Sequence, residues 1–315
     1  MKKLRNFICF LIFLAVLGTS LSYANNILIR KSLDKPWDMG NKIGGYFNEK
    51  KDYDVMFFGT SHAYCSVIPS FLEREGISSY ILASQKQPLE ANYFYIDAAI
   101  SISHPKVVYL DIFNALSKSE ADEATVHSYT DYFPFGIRKI HMVTKAVPKG
   151  MKLHTIFPLL MYHSRWDELK DEDFNFKYSM YHDDLNGYVK LSGQSPSFSK
   201  DKSMKEENLK SISLASGKYM EDKFKTILNI DELCKKNGVE LRLIKTPVYD
   251  ENVYRENLSE FSKMCTEHGL KFHDFNNEKD KIGLVEADFY DPGHLNEDGA
   301  SKFSEYFINW MKEEN

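Results

Sequence analysis

The apolar residues of the chain form one long segment at the N-terminus and many short runs after it. From Phe7 to Ile29 no charged residue occurs, and Lys2, Lys3 and Arg5 precede this stretch. As a helix it would span roughly 35 Å, at about 1.5 Å per residue, which is enough to cross a bilayer. We therefore predict that residues 1–31 are an N-terminal signal anchor or a signal peptide.

Two interpretations of this segment stay open. A basic start before an apolar span is typical of an uncleaved anchor whose N-terminus lies inside the cell. However, the apolar core from Phe7 to Leu17 is short, Gly18–Asn26 is more polar, and Ser22 to Ala24 fits a small-x-small cleavage site. We favour the anchor, with secretion after cleavage near Ala24 as the alternative. Both interpretations place the remainder of the chain outside the cytoplasmic membrane.

Short apolar runs ended by Gly or by polar residues predict buried strands, and apolar residues at helical spacing predict helices between them. The predicted strands are Tyr53–Phe58, Ser79–Ala83, Lys106–Asp111, Val239–Lys245 and Lys271–Phe275. The predicted helices are Pro69–Glu75, Pro88–Ser103, one ending near Lys236, Val253–His268 and Asp298–Lys312. This alternation indicates a parallel sheet with helices on both faces.

The alternation stops at about Ser117 and resumes only after residue 204. Residues 118–204 are irregular and rich in Tyr, His and Phe, with possible helices at 136–147 and 155–169 and a polar loop at 183–205. We predict one α/β domain over residues 32–315 that carries a long insertion at 118–204.

Composition excludes several classes of protein. The 315 residues are 43% hydrophobic and 27% charged, as in an ordinary globular protein. Forty Lys and Arg oppose forty-five Asp and Glu, which argues against a nucleic-acid binder. The four cysteines have no paired short spacing, and no cluster of metal ligands is visible, so we expect neither a metal nor a cofactor.

Two short motifs carry candidate chemistry. Gly59 to His62 (GTSH) directly follows the first predicted strand, and ligands of open α/β sheets collect at the carboxyl ends of strands. Asp291 and His294 (DPGH) stand just before the last helix, where a Pro-Gly turn can place a carboxylate beside an imidazole. Such a pair can act as general base and orienter for a serine hydroxyl. Taken alone, the first motif is better explained by a serine that caps the next helix, and the second is equally explained by a polar turn in which Asn296 caps a helix.

Together the two motifs resemble the first and last blocks of the SGNH (GDSL-like) hydrolase superfamily. The resemblance covers residues 50–115 and 225–313. It implies a flavodoxin-like three-layer α/β/α fold, with Ser61 as nucleophile, His294 as base and Asp291 as the residue that orients it. It also implies a serine ester hydrolase or O-acyltransferase.

Within this superfamily the chain is most similar to a membrane-anchored branch that includes the D-alanyl lipoteichoic acid protein DltD and polysaccharide O-acetylation proteins. The run from Ile81 to Pro88 (ILASQKQP) resembles the branch's second block, which usually has Gly at the position of Lys86. The third block, Gly-x-Asn-Asp in the superfamily, keeps only Asn114. The resemblance suggests that Asn114 and the backbone N–H groups of Ser61 and Lys86 form the oxyanion hole, provided that φ of Lys86 is negative.

Four further residues are candidate substrate contacts. His62 adjoins the nucleophile, although it could equally be a packed histidine behind the strand. Gln87 is a substitute oxyanion donor. Arg165 suits phosphate or carboxylate binding, and Trp166 suits stacking on a sugar. We expect the insertion to wall the site at the carboxyl edge of the sheet.

Two functions follow from these features. In the first, an acyl-Ser61 enzyme outside the cell transfers or hydrolyses acetyl or D-alanyl groups of a cell-envelope polysaccharide or teichoic acid, with a membrane-bound O-acyltransferase as a partner. In the second, the same fold has no catalytic activity and binds the polysaccharide or serves as a scaffold for such an acyltransferase. The intact Ser61, Asp291 and His294 favour the first function, and the altered second and third blocks favour the other.

Overall fold

The computed structural model describes residues 2–31, 39–118, 122–196, 198, 217–250 and 255–314. It begins with helix α1, Lys2–Leu28, whose most apolar 18-residue stretch has a mean hydropathy of 2.2 and lies entirely outside the folded body. By length and composition this helix is able to cross a membrane, but a signal sequence meets the same two criteria. A π-helical turn, Gly40–Gly44, and helix α2, Gly45–Glu49, lead into the globular part.

The centre of the globular part is a five-stranded parallel sheet in the order β2-β1-β3-β4-β5. Its strands are β1 Val55–Phe58, β2 Ser79–Ile81, β3 Val107–Asp111, β4 Glu240–Lys245 and β5 Lys271–Asp274. This is the flavodoxin-like strand order. β2 is added on one side of β1 and the later strands on the other side, so the topological switch point lies between β1 and β3. The sheet confirms the α/β fold class, and all five predicted strands are present with slightly shorter bounds.

Helices cover both faces of this sheet. Within the described ranges, the α-helices between β1 and β3 are α3 Ser61–Tyr64, α4 Pro69–Arg74 and α5 Leu89–Ser103. Between β3 and β4 they are α6 Phe113–Leu116, α7 Glu123–Thr130, α8 Ile137–Ala146, α9 Lys152–Ile156, α10 Leu159–Tyr162, α11 Asp171–Asn175 and α12 Gly217–Lys236. Helix α13, Arg255–His268, lies between β4 and β5. After β5 come α14 Lys279–Ile282, the short antiparallel pair β6 Phe289–Asp291 and β7 His294–Leu295, and α15 Glu297–Glu313. Helices α5, α12 and α13 share one face, and α4 and α15 share the other.

Aromatic packing joins the sheet to α15. Phe57 of β1 stacks on Tyr109 of β3 with ring centroids 5.3 Å apart, and Phe307 of α15 lies 5.5 Å and 5.0 Å from these two rings. All three side chains are at most 1% exposed. Since α15 directly follows the hairpin of β6 and β7, this packing fixes the hairpin relative to the end of β1.

The insertion is built differently from its prediction in one place. The helix expected at 155–169 is broken into α9, α10 and a 3₁₀ turn, His163–Asp167. Pro158 interrupts it, because proline lacks the N–H group that a helix interior needs. The helix expected at 136–147 is confirmed as α8. The loop expected at 183–205 forms neither helix nor strand over residues 183–196, and residues 199–205 lie outside the described part.

Candidate active site

Ser61 is the first residue of α3, immediately beyond the carboxyl end of β1. Gly59 has φ of +144°, and a Cβ atom there would lie 3.0 Å from the Cβ of Asp111. Only glycine fits this turn without a shift in β3. Thr60 then caps α3, since its hydroxyl accepts a hydrogen bond from the His62 N–H at 3.3 Å. The chain thus delivers the Ser61 hydroxyl to the crevice where the sheet order reverses, between β1 and β3.

The small β6–β7 hairpin supplies Asp291 and His294, which are paired across its two strands. The intervening turn is held by a hydrogen bond from the Gly293 N–H to Asp291 Oδ1 at 2.8 Å. Asn296 follows as the N-cap of α15, accepting hydrogen bonds from the N–H groups of Asp298 and Gly299, both at 3.1 Å. Sequence periodicity missed this hairpin because its strands are only three and two residues long.

Ser61, His294 and Asp291 form a continuous hydrogen-bonded relay. Ser61 Oγ lies 2.8 Å from His294 Nε2, and His294 Nδ1 lies 2.8 Å and 3.0 Å from the two carboxylate oxygens of Asp291. His294 and Asp291 side chains are 24% and 29% exposed, so the relay is open to a substrate. In this arrangement His294 Nδ1 donates to Asp291, and Nε2 can accept the serine proton.

The environment of Asp291 keeps its carboxylate charged. Burial raises the pKa of this carboxyl, but hydrogen bonds and charge from His294, together with the Gly293 N–H, outweigh burial and hold the pKa below its ordinary value. A negative carboxylate at this position would stabilise a protonated His294 ring. The neighbouring Cys65 is buried, and burial raises the pKa of its thiol well above the ordinary value, so it offers no competing nucleophile.

His62 is packed behind the relay, and the structure does not place it as a substrate contact. Its side chain is only 5% exposed and lies between the ring of Phe113, at a centroid distance of 3.7 Å, and the ring of His294, at 5.0 Å. Burial, and to a lesser degree the charges of Lys245 and His294, lower the pKa of His62 well below its ordinary value. His62 is therefore a neutral ring that supports His294 from behind.

Lys86 occupies an exposed turn after β2 with φ of +47°. The condition set above for Lys86 as an oxyanion donor, a negative φ, is not met, because the backbone here has the left-handed conformation that glycine adopts most easily. The resemblance had indicated glycine as the usual residue at this position. The turn thus keeps a glycine-like backbone although its residue is a lysine.

Asn114 and Gln87 are joined to each other. The Asn114 side-chain amide donates to the backbone carbonyl of Gln87, while Asn114 Oδ1 is buried with no partner among the described residues. Gln87 is fully buried, and its own side-chain amide donates to Asn92 Oδ1 at 2.7 Å. Gln87 is therefore not a substitute oxyanion donor, since its amide is turned toward α5. It holds Asn114 in place, and one N–H of the Asn114 amide remains beyond that bond.

Asp111, at the end of β3, fixes the floor of the crevice, a role that the sequence did not reveal. Its carboxylate is 1% exposed and accepts hydrogen bonds from the N–H of Phe113 at 3.0 Å and from the N–H and hydroxyl of Thr246 at 3.0 and 2.9 Å. These bonds tie the ends of β3 and β4 together. Beside them, Lys245 is fully buried and donates to the Thr246 carbonyl at 2.7 Å.

Arg165 and Trp166 lie far along the insertion, beside the end of α1. Arg165 donates to the Leu28 carbonyl and pairs with Asp173 at 3.2 Å, so its guanidinium is engaged inside the protein. Trp166 is 72% exposed. None of the described contacts of these two residues reaches Ser61, Asp291 or His294, so the structure does not bring them into the relay.

A later part of the insertion does border the site. The Val189 N–H donates to the Tyr64 carbonyl of α3 at 2.8 Å, and the Ser195 N–H donates to the Tyr290 carbonyl of β6 at 2.7 Å. Near the other side of the crevice, a cavity of about 460 Å³ is lined by Gln85 together with Ala124 and His127 of α7. The insertion therefore meets both the hairpin of the relay and the loop after β2.

Comparisons with known proteins show a distant structural likeness. The sequence matches no protein-family model, and a search of curated proteins finds no match. Among solved structures, the chain is similar to a Bacteroides fragilis protein described as a candidate acylhydrolase, at 11% identity and a TM-score of 0.38, over 84% of this chain and 88% of that one. A likeness this remote carries no conclusion about function, so chemistry must be inferred from the site itself.

Proposed function

We propose that this protein is a serine acyl-enzyme of the SGNH type that forms an acyl-Ser61 intermediate. The observation that carries the proposal is the relay from Ser61 Oγ through His294 to Asp291, with its hydrogen bonds of 2.8 to 3.0 Å. A serine hydroxyl is a weak nucleophile, and an oriented imidazole within hydrogen-bond reach is what activates it. The position of Ser61 at the reversal point of the sheet supports a substrate crevice there.

The proposed reaction has two steps, acylation of Ser61 and then deacylation. Ser61 Oγ bonds to the carbonyl carbon of an ester as its proton passes to His294 Nε2, and the leaving alcohol takes that proton when the old C–O bond breaks. In the second step, water or an acceptor hydroxyl gives its proton to His294 and attacks the acyl-Ser61 carbonyl, and Ser61 regains its proton. The backbone N–H of Ser61 and the remaining amide N–H of Asn114 are the proposed oxyanion donors. Although φ of Lys86 is positive, its turn keeps the glycine-like backbone that the resemblance implies, so the Lys86 N–H is proposed as a third donor.

The proposed location is outside the cytoplasmic membrane, with α1 as an uncleaved anchor. Lys2, Lys3 and Arg5 before the apolar span favour a cytoplasmic N-terminus. The end of α1 is joined to the insertion, since Ile27 is buried and the Leu28 carbonyl accepts a hydrogen bond from Arg165. Both residues follow the possible cleavage site near Ala24, so these contacts hold the end of α1 against the insertion whether or not the preceding segment is removed.

The proposed substrates are small acyl esters, acetyl or D-alanyl, on a cell-envelope polysaccharide or teichoic acid. Anchoring on the outer side of the membrane keeps the enzyme beside such polymers, and a membrane-bound O-acyltransferase is the proposed partner in transfer. Exposed apolar side chains on segments next to the end of α1 support a position close to the membrane; they are Phe157, Leu160, Trp166 and Phe174.

Labelling with a fluorophosphonate tests the proposal, because this reagent reacts with activated serine hydroxyls. We expect the wild-type chain to be labelled and Ser61→Ala to be unlabelled. Ser70→Ala is the matched control, since Ser70 is an exposed serine on neighbouring α4, and it should be labelled like the wild type. Labelling of Ser61→Ala at the wild-type level would refute Ser61 as nucleophile. A folded wild-type chain that takes no label would favour a binding or scaffold protein.

A further inference from the structure

Three potential metal ligands converge inside the insertion, away from the relay. Glu123 and His127 lie one helical turn apart on α7, and His154 lies on α9, which packs against α7. One ligand atom from each of the three residues lies within 4.8 Å of the others. This cluster forms no local sequence motif, because 26 residues lie between His127 and His154.

His127 is oriented in the way that metal-binding histidines are. Its side chain is 6% exposed, and Nδ1 lies 2.7 Å from Asp131 Oδ1. The other oxygen of Asp131 accepts a hydrogen bond from the Tyr162 hydroxyl at 2.7 Å, which leaves Oδ1 for the imidazole. Nδ1 therefore donates, and Nε2 carries the lone pair. That Nε2 atom is buried and has no hydrogen-bond partner among the described residues.

His154 adds a second imidazole without bonding to the first. Its ring is nearly parallel to that of His127, with centroids 5.7 Å apart and 21° between the planes. Nδ1 of His154 is also buried without a partner in the described part of the chain, and Nε2 is 3.8 Å from Glu123 Oε1, too far for a hydrogen bond. Buried polar atoms in proteins are normally satisfied, so an unsatisfied imidazole nitrogen on each of these two neighbouring rings indicates a missing partner.

We propose that Glu123, His127 and His154 bind a divalent transition metal of the zinc type. Two imidazoles and one carboxylate are a ligand set that suits zinc, with a fourth position left for water. Bonds of about 2.0–2.1 Å separate tetrahedral ligand atoms by about 3.4 Å, so the three atoms, now within 4.8 Å of one another, must approach by up to about 1.4 Å. Glu123 can move by that amount, because its side chain is 54% exposed at the first residue of α7.

The bound metal would cross-link α7 to α9 beside the cavity that reaches Gln85. His127 and Asp131 both line this cavity, as do Tyr162 and Arg165. The metal thus stabilises the part of the insertion that lies between the loop after β2 and the end of α1. This role does not depend on the proposed acyl transfer, because no ligand contacts the relay.

Zinc binding by the full-length chain in detergent tests the proposal. The protein, prepared without a polyhistidine tag and stripped with EDTA, should take up one Zn²⁺ per chain in competition with a chromogenic chelator. Mg²⁺ and Ca²⁺, which prefer oxygen ligands, should not compete. We expect His154→Ala and Glu123→Gln each to weaken zinc affinity at least tenfold.

His163→Ala is the matched control, since His163 is exposed in the same insertion with Nδ1 near the Leu160 carbonyl. It should bind zinc like the wild type. His127→Ala should abolish binding, and if it fails to fold, the partly exposed His154 still decides the outcome. Absence of stoichiometric zinc binding to the wild type would overturn the proposal. Zinc binding that is unchanged in both His154→Ala and Glu123→Gln would also overturn it. Fluorophosphonate labelling of the same samples reports separately on Ser61.

Discussion

The two sides of the crevice differ in how far their functional groups are already hydrogen-bonded to one another. On the side of β1 and the β6–β7 hairpin, Ser61, His294 and Asp291 are already in mutual hydrogen-bond contact. On the side of β2 and β3, Asn114 is bonded to the Gln87 carbonyl and Lys86 holds a glycine-like backbone. The proton relay is thus assembled, whereas the oxyanion side depends on backbone position more than on particular side chains.

This difference follows from how each side is held. The relay is fixed by rigid elements, because α15 packs on the sheet and positions the hairpin against the end of β1. The oxyanion side is a loop stabilised by amide-to-amide bonds through Gln87 and Asn92. Substitutions in the relay should therefore affect chemistry most, and substitutions of loop side chains should have graded and smaller effects.

The largest effect is expected at the nucleophile and its base. Ser61→Ala should fold normally, since it removes one half-buried hydroxyl, and should lower kcat for ester hydrolysis by about 10⁴- to 10⁶-fold. His294→Ala should be nearly as severe. Ester turnover by purified variants in detergent measures this. Equal activity of wild type and Ser61→Ala would place the chemistry elsewhere.

A smaller loss is expected when the orienting carboxylate becomes an amide. Asp291→Asn keeps the shape of the side chain but removes the charge that stabilises imidazolium, so kcat should fall by about 10⁴-fold at most. The Gly293 N–H bond holds the turn in both forms and should limit the damage to the hairpin. Single-turnover kinetics measures the change, and an unaltered rate would show that Asp291 only shapes the hairpin.

Substitution of Asn114 distinguishes a role as oxyanion donor from a purely structural role. Asn114→Ala should lower kcat about 10²- to 10³-fold with little change in KM if its amide stabilises charge in the transition state. The control is Gln194→Ala, which removes an exposed side-chain amide that bonds to the Glu286 carbonyl. A change confined to KM, or to thermal stability, would contradict the oxyanion role.

The Lys86 turn should tolerate glycine. Lys86→Gly removes the backbone strain of a left-handed lysine, which is worth about 1 kcal/mol. It also raises the conformational entropy of the unfolded chain, which costs a similar free energy of folding. We expect activity within about threefold of wild type and a free energy of unfolding changed by less than about 1 kcal/mol. Lys86→Pro removes the N–H and cannot adopt this φ, so it should lose activity. A large loss in Lys86→Gly would show that the ammonium group takes part.

Acid should destabilise the site through His62. Because its folded pKa is depressed, the unfolded chain binds more protons below the ordinary histidine pKa of about 6.5, and stability falls as pH decreases through that value. The slope from one group is at most about 1.4 kcal/mol per pH unit. The charges facing His62 come from Lys245 and His294. His62→Phe keeps a stacked ring and should flatten the decline in urea unfolding between pH 8 and 5; an identical slope would exclude His62.

Much of this fold was predictable because strands of a parallel sheet are continuous apolar runs. All five strands and the order of the principal helices followed from that pattern. The relay residues were candidates because Ser61 directly follows a strand and Asp291 and His294 share one turn, but their roles were implied only by the resemblance of the two motifs together to the SGNH superfamily. The motifs identify the three side chains, and the topology of the sheet predicts that they come together at its carboxyl edge.

The rest was not predictable from local pattern. The role of Gln87 depends on Asn92, five residues away on the next helix, and that of Asp111 on Thr246, 135 residues away. The breaks at Pro158 and the convergence of His127 with His154 depend on how short insertion helices pack. Contacts of this kind leave no periodicity in the sequence, so only the structure reveals them.

Mapping the covalent adduct is the most direct test of the relay. The full-length chain is treated with a fluorophosphonate, digested, and the modified peptide identified by mass spectrometry, with His294→Ala in parallel. We expect one modification, on Ser61, formed at least about a hundredfold more slowly without His294. Modification of another residue, or an equal rate in His294→Ala, would contradict it.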